Sequence, residues 1–206
     1  MKRTLIIGSG GYIGSRLMKE MQATGVDINW FKKGSKDIDF KDLTRDYYSE
    51  FDNIILLAGH SSVKMSEGDL NSCFNNNVRN FIDLIEKLDK QKLIYASSSS
   101  VYGSVGGKTV NEKYFGFEPY NQYDISKHTA DLYAQKSDVE YYALRFGTVN
   151  GYSPFLRSDV MINAMVNSAI VDGHIKLYIK DTMRPILGIN DLCGAVKTIV
   201  NSDEDK

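Results

Sequence analysis

Short apolar runs and helical-period segments alternate along this chain, and that alternation limits its fold more than any other feature. "RTLIIG", "DINWF", "NIILLAG", "KLIYASS" and "YYALRF" are brief, rich in β-branched or aromatic residues, and bounded by Gly, Ser, Asn or Asp. Between them, "IGSRLMKEMQATG", "LNSCFNNNVRNFIDLIEKLDK" and "QYDISKHTADLYAQK" place apolar residues three and four apart. Strand-then-helix repetition requires crossover connections, and right-handed crossovers give a parallel sheet covered by helices on both faces. The expectation is a doubly wound α/β fold. Residues 1–150 are expected to form the main strand-helix unit, and residues 151–206 a small, truncated C-terminal portion that returns to the core.

Composition excludes several classes of function. With 206 residues, 42% of them hydrophobic, the chain is long enough for one buried core. A formal net charge of −1 provides no global field for nucleic acid or an anionic membrane. Cys73 and Cys193 are the only cysteines, which suits a reducing compartment and gives no metal-ligand set. No apolar stretch approaches membrane-spanning length, so the reading is a cytoplasmic protein.

The first strand runs into "GSGGYIG". Gly8 can make the tight turn, Gly11 can admit a pyrophosphate against the backbone, and Gly14 can seat the helix on the strand. A phosphate at that helix N-terminus meets free amides and the positive end of the helix dipole. Farther along, Tyr123 and Lys127 stand four apart on a helical segment, which puts both on one face. An ammonium beside a phenol favours the phenolate, so this pair is a candidate proton-transfer unit. The serines after "KLIYA" lie beyond the carboxyl end of a predicted central strand, where open α/β sheets bind ligands.

Taken together, "GSGGYIG", "YASSSSVYG" and "YDISK" resemble the extended short-chain dehydrogenase/reductase superfamily, and its nucleotide-sugar epimerases most of all. "NNNV", "LRFGTVNGYSP" and "RPILGINDL" follow the family's order, so the resemblance spans essentially the whole chain. It implies a Rossmann fold, a nicotinamide dinucleotide and a Ser-Tyr-Lys set made of Ser98, Tyr123 and Lys127. Tyr123 would exchange a proton with a sugar hydroxyl, and Lys127 would also hold the nicotinamide ribose. Cofactor contacts are implied for Gly8, Gly11, Tyr12, Ile13 and Gly14, for Asp39 and Phe40 along the adenine, for Ala58 and Gly59, and for Asn77. Ser98, Ser99, Thr148 and Arg184 are the implied substrate-side residues. Ser99 and Ser100 stand where the family's dehydratases carry an Asp-Glu pair, which argues against a 4,6-dehydratase. His60 receives no catalytic role.

In two places the chain departs from the epimerase pattern. An NAD site wants an acid after the second strand, and at that spacing from Gly14 the sequence offers Lys32 and Lys33. Two ammonium groups suit a 2′-phosphate, so NADP is the first expectation and NAD the second. The segment after Arg184 also ends before the family's further substrate-binding part. Three readings follow: a nucleotide-sugar epimerase, an NADPH-dependent keto-sugar reductase, and a non-catalytic dinucleotide-binding sensor or assembly module. A homodimer is expected through helices near Asp69–Lys90 and Gln122–Lys136, with Phe74, Phe81, Ile125 and Tyr133 as apolar residues beyond one sheet-facing stripe.

Overall fold

A computed structural model describes residues 2–28, 35–114, 116, 118–177, 181 and 183–202. Strands β1 (Thr4–Ile7), β2 (Thr24–Asp27), β3 (Ser35–Asp37), β4 (Asn53–Leu56), β5 (Lys92–Ser98) and β6 (Tyr141–Phe146) form one sheet in the order β3-β2-β1-β4-β5-β6. Every neighbouring pair is parallel. The sheet is the expected Rossmann arrangement, and its strand order reverses between β1 and β4.

Period-two alternation divides the strands between two cores. Leu5, Ile7, Ile54, Leu56, Leu93 and Tyr95 face one side, against α5 (Asn80–Lys87), α6 (Gln122–Lys136) and the rings of Tyr48 and Phe51. Ile6, Ile55 and Ile94 face the other, against Leu17 of α1 (Tyr12–Glu20) and Leu192 and Val196 of α8 (Ile189–Asn201). With both faces covered, β1 and β4 are buried at every position, which is why they read as unbroken apolar runs. Two further strands, β7 (Thr148–Asn150) and β8 (Ile186–Gly188), pair in parallel as a small second sheet. Remaining helices are α2 (Arg45–Tyr48), α3 (Val63–Gly68), α4 (Leu70–Phe74) and α7 (Met161–Val171).

Two elements differ from expectation. The second strand is not "DINWF": β2 pairs with β1 through Leu5↔Thr24 and Ile7↔Val26, and ends at Asp27. Residues 29–34, with Lys32 and Lys33 among them, lie outside the described residues. The aromatic, β-branched run carries the stronger strand propensity, but pairing to the central strand decides the register. Likewise, the single helix expected over Leu70–Lys90 is α4 and α5 joined by a π-helical turn, Asn75–Arg79. That turn changes the dimer expectation. Phe81 is buried and stacks on Tyr95 with ring centres 4.8 Å apart, and Tyr133 packs against the same core. Neither is spare apolar surface. The exposed large apolar residues on these helices are Leu70, Phe74 and Leu132, with Val63 and Met65 exposed on the neighbouring α3.

Gly14 shows how tightly α1 sits on the sheet: a Cβ built there would lie 2.1 Å from the Gly8 carbonyl oxygen. Gly68, at the end of α3, has no atom within 4 Å of such a Cβ. Gly14→Ala is therefore expected to destabilise the fold by about 1–3 kcal/mol, as overpacking does, while Gly68→Ala stays within about 1 kcal/mol of the parent. Urea unfolding of both variants checks the contrast; equal midpoints would show that α1 is free to shift.

Candidate active site

A cleft of about 710 Å³ opens at the carboxyl ends of β1, β4, β5 and β6, at the point where strand order reverses. One wall is the glycine turn. Gly8 has φ +85° and donates its N–H to the Val26 carbonyl at 2.9 Å, while a Cβ on it would strike Ala58 N at 2.6 Å. Only glycine fits both demands. Gly11 caps α1 without any side-chain hydrogen bond, so the amides of the first helical turn have no side chain competing with a ligand. Beside the turn, Asp27 at the end of β2 accepts the Gly10 N–H at 2.8 Å and lines the cleft.

The facing wall comes from β5 and α6. Ser98 ends β5, and its Oγ accepts the Ser100 N–H at 3.2 Å and shares a hydrogen bond with Ser100 Oγ at 2.9 Å. Its neighbour Ser97 is buried against the cleft, and its Oγ has no hydrogen-bond partner among the described residues. Tyr123 and Lys127 lie one turn apart in the first half of α6, whose start is capped by the Asn121 side chain accepting the Asp124 N–H at 3.0 Å. Lys127 Nζ donates to the Ala96 carbonyl at 2.8 Å and stands 5.9 Å from the centre of the Tyr123 ring.

The electrostatics differ from the simple pair expected from sequence. Burial pushes the Tyr123 phenol above its ordinary value, against a hydrogen bond from Ser98 and the charge of Arg157, which pull it down. Lys127 is not among the groups that shift it; its ammonium is directed at the Ala96 carbonyl. Burial also pushes Lys127 down to about 8, opposed by the carboxylate of Asp131 one turn on. Asp131 in turn accepts from Tyr95 OH at 2.8 Å and from Arg145 Nε at 2.9 Å. Arg145 also donates to Tyr102 OH and to the Glu112 carbonyl, and so anchors the long 103–119 segment beside the cleft.

Asn77 does not line the cleft but braces it. Its Oδ1 accepts the His60 N–H at 2.8 Å, and its Nδ2 donates to the His60 carbonyl and to Ser126 Oγ, each at 3.0 Å. Ser126 Oγ then donates to the Tyr123 carbonyl at 2.8 Å. Through the π-helical turn, the loop after β4 is thus fixed to the helix that carries Tyr123. Gly59, at φ +126°, leaves room for this contact, since a Cβ there would meet Asn77 Oδ1 at 2.5 Å.

All other described site candidates line the cleft: Tyr12, Ile13, Asp39, Phe40, Ala58, Ser99, Thr148 and Arg184. Sequence reasoning passed over Asp27, Ser97 and Arg157. The first was legible as an acid directly after the apolar Val26; a lone arginine in a loop carries no local signal. Arg157 lines the cleft, donates to Ser61 Oγ at 2.7 Å and pairs with both carboxylate oxygens of Asp159. Among the described residues no cluster of side chains could hold a metal ion, and no helix is long and apolar enough to cross a membrane.

The family model for the NAD dependent epimerase/dehydratase family matches residues 4–206. Protein CapI of Staphylococcus aureus is 26% identical over 96% of this chain and 69% of its own length. A UDP-glucose 4-epimerase of Lacticaseibacillus casei is 28% identical over 72% of this chain, and the match spans 52% of that protein. Among solved structures, MoeE5 in complex with UDP-glucose and NAD is 26% identical, with TM-score 0.81 over 99% of this chain and 73% of that one. A UDP-N-acetylglucosamine 4-epimerase from Methanobrevibacter ruminantium shares the fold at TM-score 0.85 and 22% identity, covering 99% of this chain and 74% of its own. Glycine turn, serine-ended β5 and tyrosine-lysine helix are thus set in a sequence that matches one family model nearly from end to end, and the chain belongs to the NAD dependent epimerase/dehydratase family.

Proposed function

We propose that the chain binds NAD and acts on a nucleotide sugar, oxidising a ring hydroxyl and reducing the resulting ketone again, as a 4-epimerase does. The observation that carries this reading is the placement of Ser98, Tyr123 and Lys127 in one cleft opposite the glycine turn. Solved relatives holding NAD with UDP-glucose or UDP-glucuronic acid support the cofactor and substrate class. NAD, when bound, takes up a hydride from the sugar carbon and returns it. The uncapped start of α1 and the bare Gly8–Gly14 turn fit a pyrophosphate, and Ser97 Oγ is a buried polar atom with hydrogen-bonding capacity to spare.

Tyr123 is the proton-transfer group. With its phenol held above the ordinary range it rests protonated, ready to donate to a ketone oxygen as hydride is delivered. Oxidation needs the reverse transfer, which is eased by the hydrogen bond from Ser98 and the nearby guanidinium of Arg157. Ser98 orients the sugar oxygen, and the Lys127 ammonium holds the nicotinamide ribose.

Choice of dinucleotide turns on β2. NADP was favoured by Lys32 and Lys33 standing at the strand's end, but β2 stops at Asp27. A carboxylate there accepts hydrogen bonds from ribose hydroxyls and repels a 2′-phosphate, which favours NAD. This also places the epimerase reading ahead of the NADPH-dependent reductase. The sensor or assembly reading fits less well, since it leaves Ser98, Tyr123 and Lys127 gathered without a task. A second copy of the chain would dock across α3, α4 and α6, where Val63, Leu70, Phe74 and Leu132 are exposed.

Tyr123→Phe is expected to lower turnover of UDP-glucose or UDP-glucuronic acid about 100-fold or more while NAD affinity stays within about twofold. Loss of NAD binding in the variant would assign the ring, not the phenol, the leading role. Lys127 is charged below about 8 and neutral above it, so the rate should fall as pH rises through that value. Lys127→Met should have no such limb and almost no activity; a wild-type profile flat to pH 10 would remove the ammonium from the mechanism. In calorimetric titrations NAD should bind about tenfold or more tightly than NADP, and Asp27→Ala should close that gap. Tighter NADP in the parent would return the choice to the lysines.

A further inference from the structure

Tyr12 joins the two sides of the cleft. It is the first residue of α1, inside the glycine turn, yet its hydroxyl donates to the Gly151 carbonyl at 2.6 Å, far along the chain. Asn163, in the first turn of α7, closes the circuit. Its Nδ2 donates to Tyr12 OH at 3.2 Å and to the Arg157 carbonyl at 3.0 Å, while its Oδ1 accepts the Gly151 N–H at 3.1 Å. Ser153 reinforces the same seam, donating to the Tyr12 carbonyl at 2.6 Å and sharing a hydrogen bond with Ser15 at 3.0 Å.

Beyond this seam the segment is tied at Arg157, which donates to Ser61 Oγ, and Pro154 and Phe155 are half-buried. Gly151 has φ +116°, Tyr152 and Leu156 are exposed, and α7 buries none of its residues. Polar bonds to the glycine turn and to Asn163 set where the start of this segment lies, and the Asn163 bond to the Arg157 carbonyl extends that control to a residue that lines the cleft. Both sides share a rigid node, so a ligand that orders either side prepays part of the ordering cost for the other. Coupling of this kind is reciprocal.

We propose that Asn163 is a positioning residue: by tying residues 151–157 to the Tyr12 hydroxyl, it makes a dinucleotide on the glycine turn and a nucleotide diphosphate on the opposite wall strengthen each other's binding. The proposal rests on the cofactor and substrate class proposed above. It assigns Asn163 no contact with reacting atoms and Tyr12 a role for its hydroxyl as well as its backbone.

The test measures UDP affinity by calorimetry with and without saturating NAD, in the parent and in Asn163→Ala, Tyr12→Phe and the double variant. In the parent, NAD should tighten UDP binding about fivefold or more. Either single variant should reduce that ratio below about twofold, and the double variant should lose no more than either single one, because both cut the same node. Tyr12→Phe keeps the ring and removes only the hydroxyl, so it carries the test if Asn163→Ala folds poorly. Ser168→Ala, which cuts the bonds closing the far end of α7 to Asp172 and His174, should keep the parental ratio; if general loosening of the helix were the cause, it would lower the ratio too. Independent binding of NAD and UDP by the parent, or coupling that survives in both single variants, would overturn the role of Asn163 and leave the cofactor reading intact. Failure of the parent to bind NAD or UDP at all would overturn that reading, and this inference with it.

Discussion

The approach of α1 to the end of β1 sets the position of almost everything else. Because Gly14 has no side chain, the helix rests on the Gly8 carbonyl at a distance that even one methyl group would forbid. This seats Leu17 in the core shared with α8 and leaves the helix start pointing into the cleft. Gly8 makes the matching concession on its other side, where the backbone of Ala58 passes within reach of any added carbon. Two absent side chains thus bring two strands and a helix together, and the space beyond them is where a phosphate fits.

On the opposite wall the controlling factor is burial of charge. Lys127 is half-buried in the cleft wall; its ammonium donates to one carbonyl, and the carboxylate of Asp131 favours its charge. Asp131 is itself held by Tyr95 and Arg145, so the charge on Lys127 depends on a chain of partners reaching to Tyr102 and Glu112. The Arg145–Asp131 ion pair in this chain adds little net stability, but removing one member leaves the other uncompensated. In the function proposed above, its value lies in fixing where a proton or a ribose hydroxyl can be met.

Local chemistry was readable from the sequence and long-range pairing was not. The strand, glycine turn and helix at the N-terminus depend on neighbours within a few residues, and so does α6, whose limits coincide with the helical segment "QYDISKHTADLYAQK". The glycine turn, Tyr123 and Lys127 all line the one cleft. The end of β2 depends on pairing with β1, so an aromatic run misplaced it and drew attention to Lys32 and Lys33 instead of Asp27. Arg157 and Asn163 act through atoms contributed by Tyr12, Ser61 and Gly151, and no periodicity marks such meetings.

The π-helical turn also bears on how the chain tolerates change. Asn75, Asn76 and Asn77 look interchangeable in sequence, yet Asn75 faces solvent, Asn76 bonds back to Ser72, and Asn77 is the buried brace beneath the loop after β4. The wider turn holds one residue more than an α-helix would spend over the same rise. This lets Cys73 and Phe81, eight residues apart, both face inward as residues seven apart do in an α-helix, where eight would leave them about 80° out of line. Removing one residue of the turn would close it and leave the flanking helices in phase. In this stretch the width of one turn, not the number of asparagines in it, decides which side chains meet the core.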